Sequence, residues 1–103
     1  MKFRTTRLPE FVVWFEELDT KGKAQVDVRI LKIEIEGYFG DAKDLGDGLA
    51  ELRWKSGWRI YFARIRDSFG SLVLLVLGGN KNGQTKDIRQ ARLLLRKYSG
   101  DQT

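Results

Sequence analysis

Apolar residues recur at two different spacings along this chain, and the change of spacing divides it into helical and extended parts. Pro9 suits the first turn of a helix, and Phe11, Trp14, Phe15 and Leu18 follow three or four residues apart. The polar break Asp19-Thr20-Lys21-Gly22 leads into a second predicted helix of about fifteen residues. Val26, Ile30 and Ile33 form its apolar stripe, widened by Leu31 and Ile35. The β-branched content there would also suit a strand, but the helical period fits better than alternation. Two helices joined by so short a loop predict an antiparallel pair able to cover one face of a sheet.

Residues 2–7 fit a first strand. Turn residues at both ends of the segment from Gly37-Tyr38-Phe39-Gly40-Asp41 to Asp47-Gly48 predict a loop. Strands are then expected over 49–55, 58–66 and 71–79, joined at Ser56-Gly57 and at Asp67-Ser68-Phe69-Gly70. Gly78-Gly79-Asn80-Lys81-Asn82-Gly83 predicts an irregular turn. Ile88, Ala91, Leu94, Leu95 and Tyr98 then mark one side of a final helix over 85–98. The expected fold is α+β in the order β-α-α-β-β-β-α, a small antiparallel sheet covered by an N-terminal helical hairpin and a C-terminal helix. No linker or repeat interrupts residues 1–103, which read as a single domain.

Composition narrows the chemistry. The chain has no cysteine and no histidine, which removes a thiolate nucleophile, disulfides, the usual neutral-pH acid/base and the commonest transition-metal ligand. Catalysis must therefore use carboxylates, lysine, arginine or tyrosine, and no cofactor or metal is expected. The longest apolar run, Leu72 to Leu77, suits a buried strand and is too short to span a bilayer. No hydrophobic signal segment follows the cations at Lys2, Arg4 and Arg7, so the expectation is a cytoplasmic protein without a membrane partner. The net charge of +5 is uneven: residues 1–50 hold 8 Lys/Arg against 10 Asp/Glu, and residues 51–103 hold 11 against 4. Such a skew favours a polyanionic partner for the second half.

That basic half begins with the stretch Glu51 to Tyr61, a predicted hairpin around Ser56-Gly57. Alternation sends Glu51, Arg53 and Lys55 to one face and Ala50, Leu52 and Trp54 to the other, so one face is expected to pack and the other to hold charge. On paired strands Arg53 and Arg59 lie close enough to hold one phosphate, and arginine donates two parallel hydrogen bonds to phosphate oxygens. The alternative is a solvated face on which Glu51 pairs with either arginine. Lys81 follows a glycine pair that lets a ligand approach the backbone, or else is an exposed lysine on an ordinary turn. Tyr61 shares the face of Arg59, where it can contact a base or pack beneath the final helix. Trp14, Trp54, Trp58 and Phe62 suit packing, and Tyr98 is open between packing and the basic face. Asp87 is expected to favour the start of the last helix, with Gln84 helping to cap it.

Taken in order, Phe39-Gly40-Asp41, Glu51-Leu52-Arg53, Trp58-Arg59-Ile60-Tyr61-Phe62 and Gly78-Gly79-Asn80-Lys81, followed by Gln84, Asp87-Ile88 and Ala91, resemble one family. The chain is similar to the phage-derived addiction-module killer, or HigB-like, branch of the RelE/ParE toxin superfamily, over roughly residues 3–98 in a single register. The resemblance implies a toxin of a type II toxin–antitoxin pair, neutralised by a cognate helix-turn-helix antitoxin that also links it to operator DNA. RelE-like members cleave mRNA on the ribosome, whereas ParE-like members poison DNA gyrase without cleaving it; a degenerate toxin would keep only antitoxin binding. Carried over, the family's strand cation falls on Arg53, the next-strand arginine on Arg59 and the post-strand cation on Lys81. Glu51 stands where RelE-like nucleases have a second lysine, and Tyr98 is a loose counterpart of their C-terminal acid/base residue. The implied activity is a metal-independent mRNA endoribonuclease. Arg53, Arg59 and Lys81 would hold the phosphate, Glu51, Lys55 or Lys81 would act as base, and Lys55, Tyr61 and Tyr98 would contact substrate.

Overall fold

In the computed structural model, which describes residues 1–101, the chain forms an α+β domain. Its elements are β1 (Arg4–Arg7), α1 (Pro9–Glu16), α2 (Thr20–Glu36), β2 (Ala42–Gly46), β3 (Leu49–Arg53), β4 (Trp58–Asp67), β5 (Gly70–Asn80), a 3-10 turn (Lys81–Gly83) and α3 (Gln84–Asp101). They build one sheet in the order β1-β5-β4-β3-β2. The central residues of both helical stripes are buried, Phe11 and Phe15 in α1 and Val26, Ile30 and Ile33 in α2, whereas Leu31 and Ile35, expected to widen the second stripe, are exposed. Pro9 occupies the first turn of α1, and the Asp19 carboxylate caps α2 by accepting from the Gly22 amide at 2.7 Å. Helix α2 ends on Gly37, whose φ of 69° is the left-handed conformation that returns its amide to the Ile33 carbonyl.

Two features correct the expected order. Residues 42–46 form a strand rather than a loop, giving β-α-α-β-β-β-β-α. Gly46, Asp47 and Gly48 all have positive φ, and this tight turn folds β2 back antiparallel on β3. The strand is polar and exposed along an edge, so no apolar alternation announced it. The sheet is also mixed, because β1 pairs in parallel with β5 through Arg4–Leu72 to Arg7–Leu75.

Helices cover both faces of the sheet. Phe11, Phe15, Val26, Ile30 and Ile33 pack on Leu52, Ile60, Phe62, Val73 and Leu75. On the opposite face Ile88, Ala91, Leu94, Leu95 and Tyr98 of α3 pack on Leu49, Tyr61, Leu74 and Val76. Burial on both faces explains the unbroken apolar run of β5. Among the described residues no helix is long and apolar enough to cross a membrane.

Candidate functional site

The register of the three central strands sets the site. Arg53 pairs with Arg59 and Arg59 with Gly79, while one row deeper Glu51 pairs with Tyr61 and Tyr61 with Leu77. Alternation puts Glu51, Arg53, Arg59 and Tyr61 on the face that α3 covers. This face is not the open charged surface that the pattern suggests. Glu51 and Tyr61 are 0% exposed and Arg59 is 8% exposed, whereas Arg53 is half-buried. Trp54, Trp58 and Phe62 pack with the α1/α2 face, as does Trp14.

Arg59 is fixed by backbone on one side and by a carboxylate on the other. Its Nη1 donates to the carbonyls of Trp58 at 2.9 Å and Trp54 at 3.3 Å. Its Nε lies 3.9 Å from Glu51 Oε2 and makes no hydrogen bond. The Glu51 carboxylate instead accepts from Gln84 Nε2 at 2.6 and 3.0 Å. Glu51 is therefore sealed, with its hydrogen bonds and its counter-charge turned inward. The second terminal nitrogen of Arg59, Nη2, has no protein acceptor among the described residues, and neither does the Arg53 guanidinium.

The hairpin turn is longer than Ser56-Gly57. Strand β3 stops at Arg53, and the turn closes with the Trp54 amide donating to Trp58 O and the Gly57 amide to Trp54 O, both at 3.0 Å. Lys55 thus projects from an exposed turn, off the strand alternation. The Lys81 amide donates to Gly57 O at 2.8 Å, and the Lys81 methylenes lie 3.6 Å from where a Cβ on Gly57 would stand. These contacts bring Arg53, Arg59, Lys55 and Lys81 to one end of the sheet. Tyr98 is not with them, since it stands fourteen positions beyond Gln84 on α3, roughly 21 Å of helix. It lies near Leu8 and Pro9 instead.

Two neighbours of the cluster carry roles that the pattern did not assign. Gln84 holds Glu51 rather than capping a helix; Asn80 caps the 3-10 turn, accepting from the amides of Asn82 and Gly83. Asp87 rests on Gly79, its Oδ2 only 2.1 Å from where a Cβ would be, and burial holds its carboxyl above the usual aspartate range. The signal was the i, i+3 spacing of Gln84 and Asp87 on the first turn of a helix that follows a glycine pair. Tyr61 lies beneath, its hydroxyl buried without a partner. Burial pushes that phenol above its ordinary pKa, Asp87 and Glu51 add to the shift, and Arg59 opposes it. Its ring cannot stack on a base while α3 stays in place.

The arrangement can grip a phosphate from several sides. Cations on two adjacent strands and on the following turn converge, and the Glu51 carboxylate on the same strand face is occupied. No protein-family model matches the chain. An uncharacterized protein of Haemophilus influenzae is 40% identical over 87 residues, which cover 82% of this chain and 84% of that protein.

Proposed function

The chain belongs to one family with that Haemophilus influenzae protein, and from the site it carries we propose that it is a RelE/ParE-like toxin of a type II toxin–antitoxin pair, cleaving mRNA on the ribosome. One arrangement carries the proposal: the unpartnered guanidinium of Arg53, the free Nη2 of Arg59 and the exposed Lys81 meet at the end of a sheet. In the cleavage, the RNA 2′-oxygen attacks the adjacent phosphorus and loses its proton to solvent. The bond to the 5′-oxygen breaks, leaving a 2′,3′-cyclic phosphate. Arg53 and Arg59 bind the phosphate oxygens and stabilise the charge of the phosphorane. Lys81 donates a proton to the departing 5′-oxygen. Glu51 stays out of the proton transfer and anchors Arg59. The ribosome supplies orientation, which can carry much of the barrier.

A second reading is favoured by one observation: Glu51, the carboxylate that shares the strand face of Arg53 and Arg59, is sealed. A surface of cations whose strand carboxylate is occupied suits a ParE-like inhibitor that binds gyrase without cleaving anything. Pulse-labelling after induction separates the two. The nuclease stops protein synthesis first and truncates transcripts at ribosomal positions. Arrested DNA synthesis with translation initially intact assigns the gyrase reading, and undisturbed growth leaves a chain that only binds its antitoxin.

A further inference from the structure

Phe39-Gly40-Asp41 reaches the cluster of cations through one side chain on α2. Arg29 is half-buried on the side of the sheet opposite α3. Its guanidinium donates to three main-chain carbonyls: Nε at 3.3 Å and Nη2 at 3.1 Å to Phe39 O, Nη2 at 2.6 Å to Asp41 O, and Nη1 at 2.5 Å to Arg53 O. The same group lies 4.3 Å over the Trp54 ring. It makes no ion pair among the described residues. An arginine that engages only backbone and one indole fixes the path of the chain rather than balancing a charge.

Those contacts converge on the end of β3. Asp41 O also accepts from the Arg53 amide at 2.9 Å, so Arg53 is held at its amide by Asp41 and at its carbonyl by Arg29. The next residue, Trp54, is held by its ring, and its carbonyl accepts from Arg59 Nη1 at 3.3 Å. Its amide donates at 3.0 Å to Trp58 O, the other carbonyl that Arg59 Nη1 holds. Gly40 completes the seat. Its φ is 70°, and a Cβ there would stand 3.3 Å from Arg29 Nη2, so only glycine lets the loop close over the guanidinium. Lysine cannot replace this fan of donors, because its three N–H groups share one nitrogen.

We propose that Arg29 is a positioning residue: from the far side of the sheet it sets Arg53 and Arg59 at the spacing that grips a phosphate. The inference rests on the function proposed above. Arg29 touches no substrate; it acts through the Arg53 carbonyl and the Trp54 ring. A displacement of about 1 Å at a reacting centre can cost about a hundredfold in rate, so support this remote still matters to cleavage.

The test uses the 15N-labelled full chain and three variants, each with its melting temperature. Arg29→Lys keeps the charge and loses the fork. Gly40→Ala disturbs the same junction with Arg29 intact, and carries both readouts should Arg29→Lys not fold. Val26→Ala truncates the buried stripe of α2 away from the hairpin and is the control for lost stability. In Arg29→Lys the Trp54 and Gly57 amides exchange at least about tenfold faster relative to the β5 amides, which report global opening, and the Arg59 Nε–H resonance shifts. Val26→Ala changes neither. In induced cells, per amount of folded protein, Arg29→Lys lowers new RNA ends at ribosomal positions at least about tenfold and Gly40→Ala about threefold, while Val26→Ala matches the wild type. The proposal is overturned if Arg29→Lys leaves the amides and the Arg59 resonance as Val26→Ala does, or cleaves within threefold of the wild type. A wild type that yields no RNA ends, with resonances that still shift in Arg29→Lys, rejects the nuclease and keeps the positioning. Cleavage indifferent to Arg29→Lys does the reverse.

Discussion

The two faces of the sheet are both covered by helices but filled with different chemistry. Under α1 and α2 the filling is aromatic. Phe11 meets Trp14 and Phe15 with ring centroids 5.8 and 6.1 Å apart, Trp14 meets Trp58 edge-on at 6.2 Å, and Phe39 stacks on Phe62 at 5.3 Å. Cations reach these rings from the rim, with Arg64 4.0 Å over Phe39 and Arg7 4.9 Å over Phe15. Under the first turn of α3 the filling is polar: Glu51, Arg59, Tyr61, Gln84 and Asp87. There Arg59 Nε and Tyr61 Oη are buried without partners, and each such group costs on the order of 1–3 kcal/mol. The consecutive glycines of β5 show the contrast at one step. Gly78 makes room for the Trp14 ring and Gly79 for the Asp87 carboxylate. Stability is concentrated on the aromatic face, and the polar face gives some of it up to hold Arg59 beside Arg53.

The sharpest way to break this contrast is to empty the polar side. Glu51→Ala leaves Arg59 buried without its counter-charge and Gln84 without its acceptor, and should cost about 3 kcal/mol in urea unfolding. Glu51→Gln should recover part of that loss by keeping a side-chain acceptor for Gln84. Wild-type stability in the alanine variant would mean that the pair does not hold the hairpin. Next come the two glycines. Gly78→Ala sets a Cβ 2.0 Å from the Trp14 ring, a bulky indole packed against Phe11 and Trp58 that would have to shift, and should cost about 2 kcal/mol. Gly79→Ala should cost less, because the short Asp87 side chain can swing towards solvent. The reverse order, measured by thermal melting, would contradict the assignment of rigidity to the aromatic face.

The smallest expected effect is on pH dependence. The folded pKa of Asp87 is raised by burial. The stability linked to its protonation is therefore fully present below the ordinary aspartate pKa and is lost as pH rises through the folded value. Asp87→Asn should flatten that part of the stability–pH curve. An unchanged curve would remove Asp87 from the buried network.

How far the sequence reached can be judged residue by residue. The stripes of α1, α2 and α3 were legible because a helix with one buried side must repeat every 3.6 residues. The pairing of β3 with β4 was legible too, and with it the adjacency of Arg53 and Arg59. Strand β2 was not, since its pairing comes from backbone hydrogen bonds and a tight glycine turn rather than from side-chain alternation. Nor was the parallel pairing of β1 with β5, which joins segments more than sixty residues apart. At the site, alternation shows which residues share a face but not what lies over it. The sealing of Glu51 and Tyr61 depends on where the first turn of α3 lands, and Gln84 and Asp87 acquire their roles only there.

Arg53 offers the most direct test of the central claim, because its guanidinium supports nothing else among the described residues. The measurement is transcript-end mapping in cells induced for the wild type or for Arg53→Ala, with melting temperature as the check on folding. Wild-type induction should produce new RNA ends at ribosomal positions, and Arg53→Ala should reduce them at least about tenfold while melting like the wild type. Intact transcripts in arrested wild-type cells, or undiminished cleavage by a folded Arg53→Ala, would contradict the account.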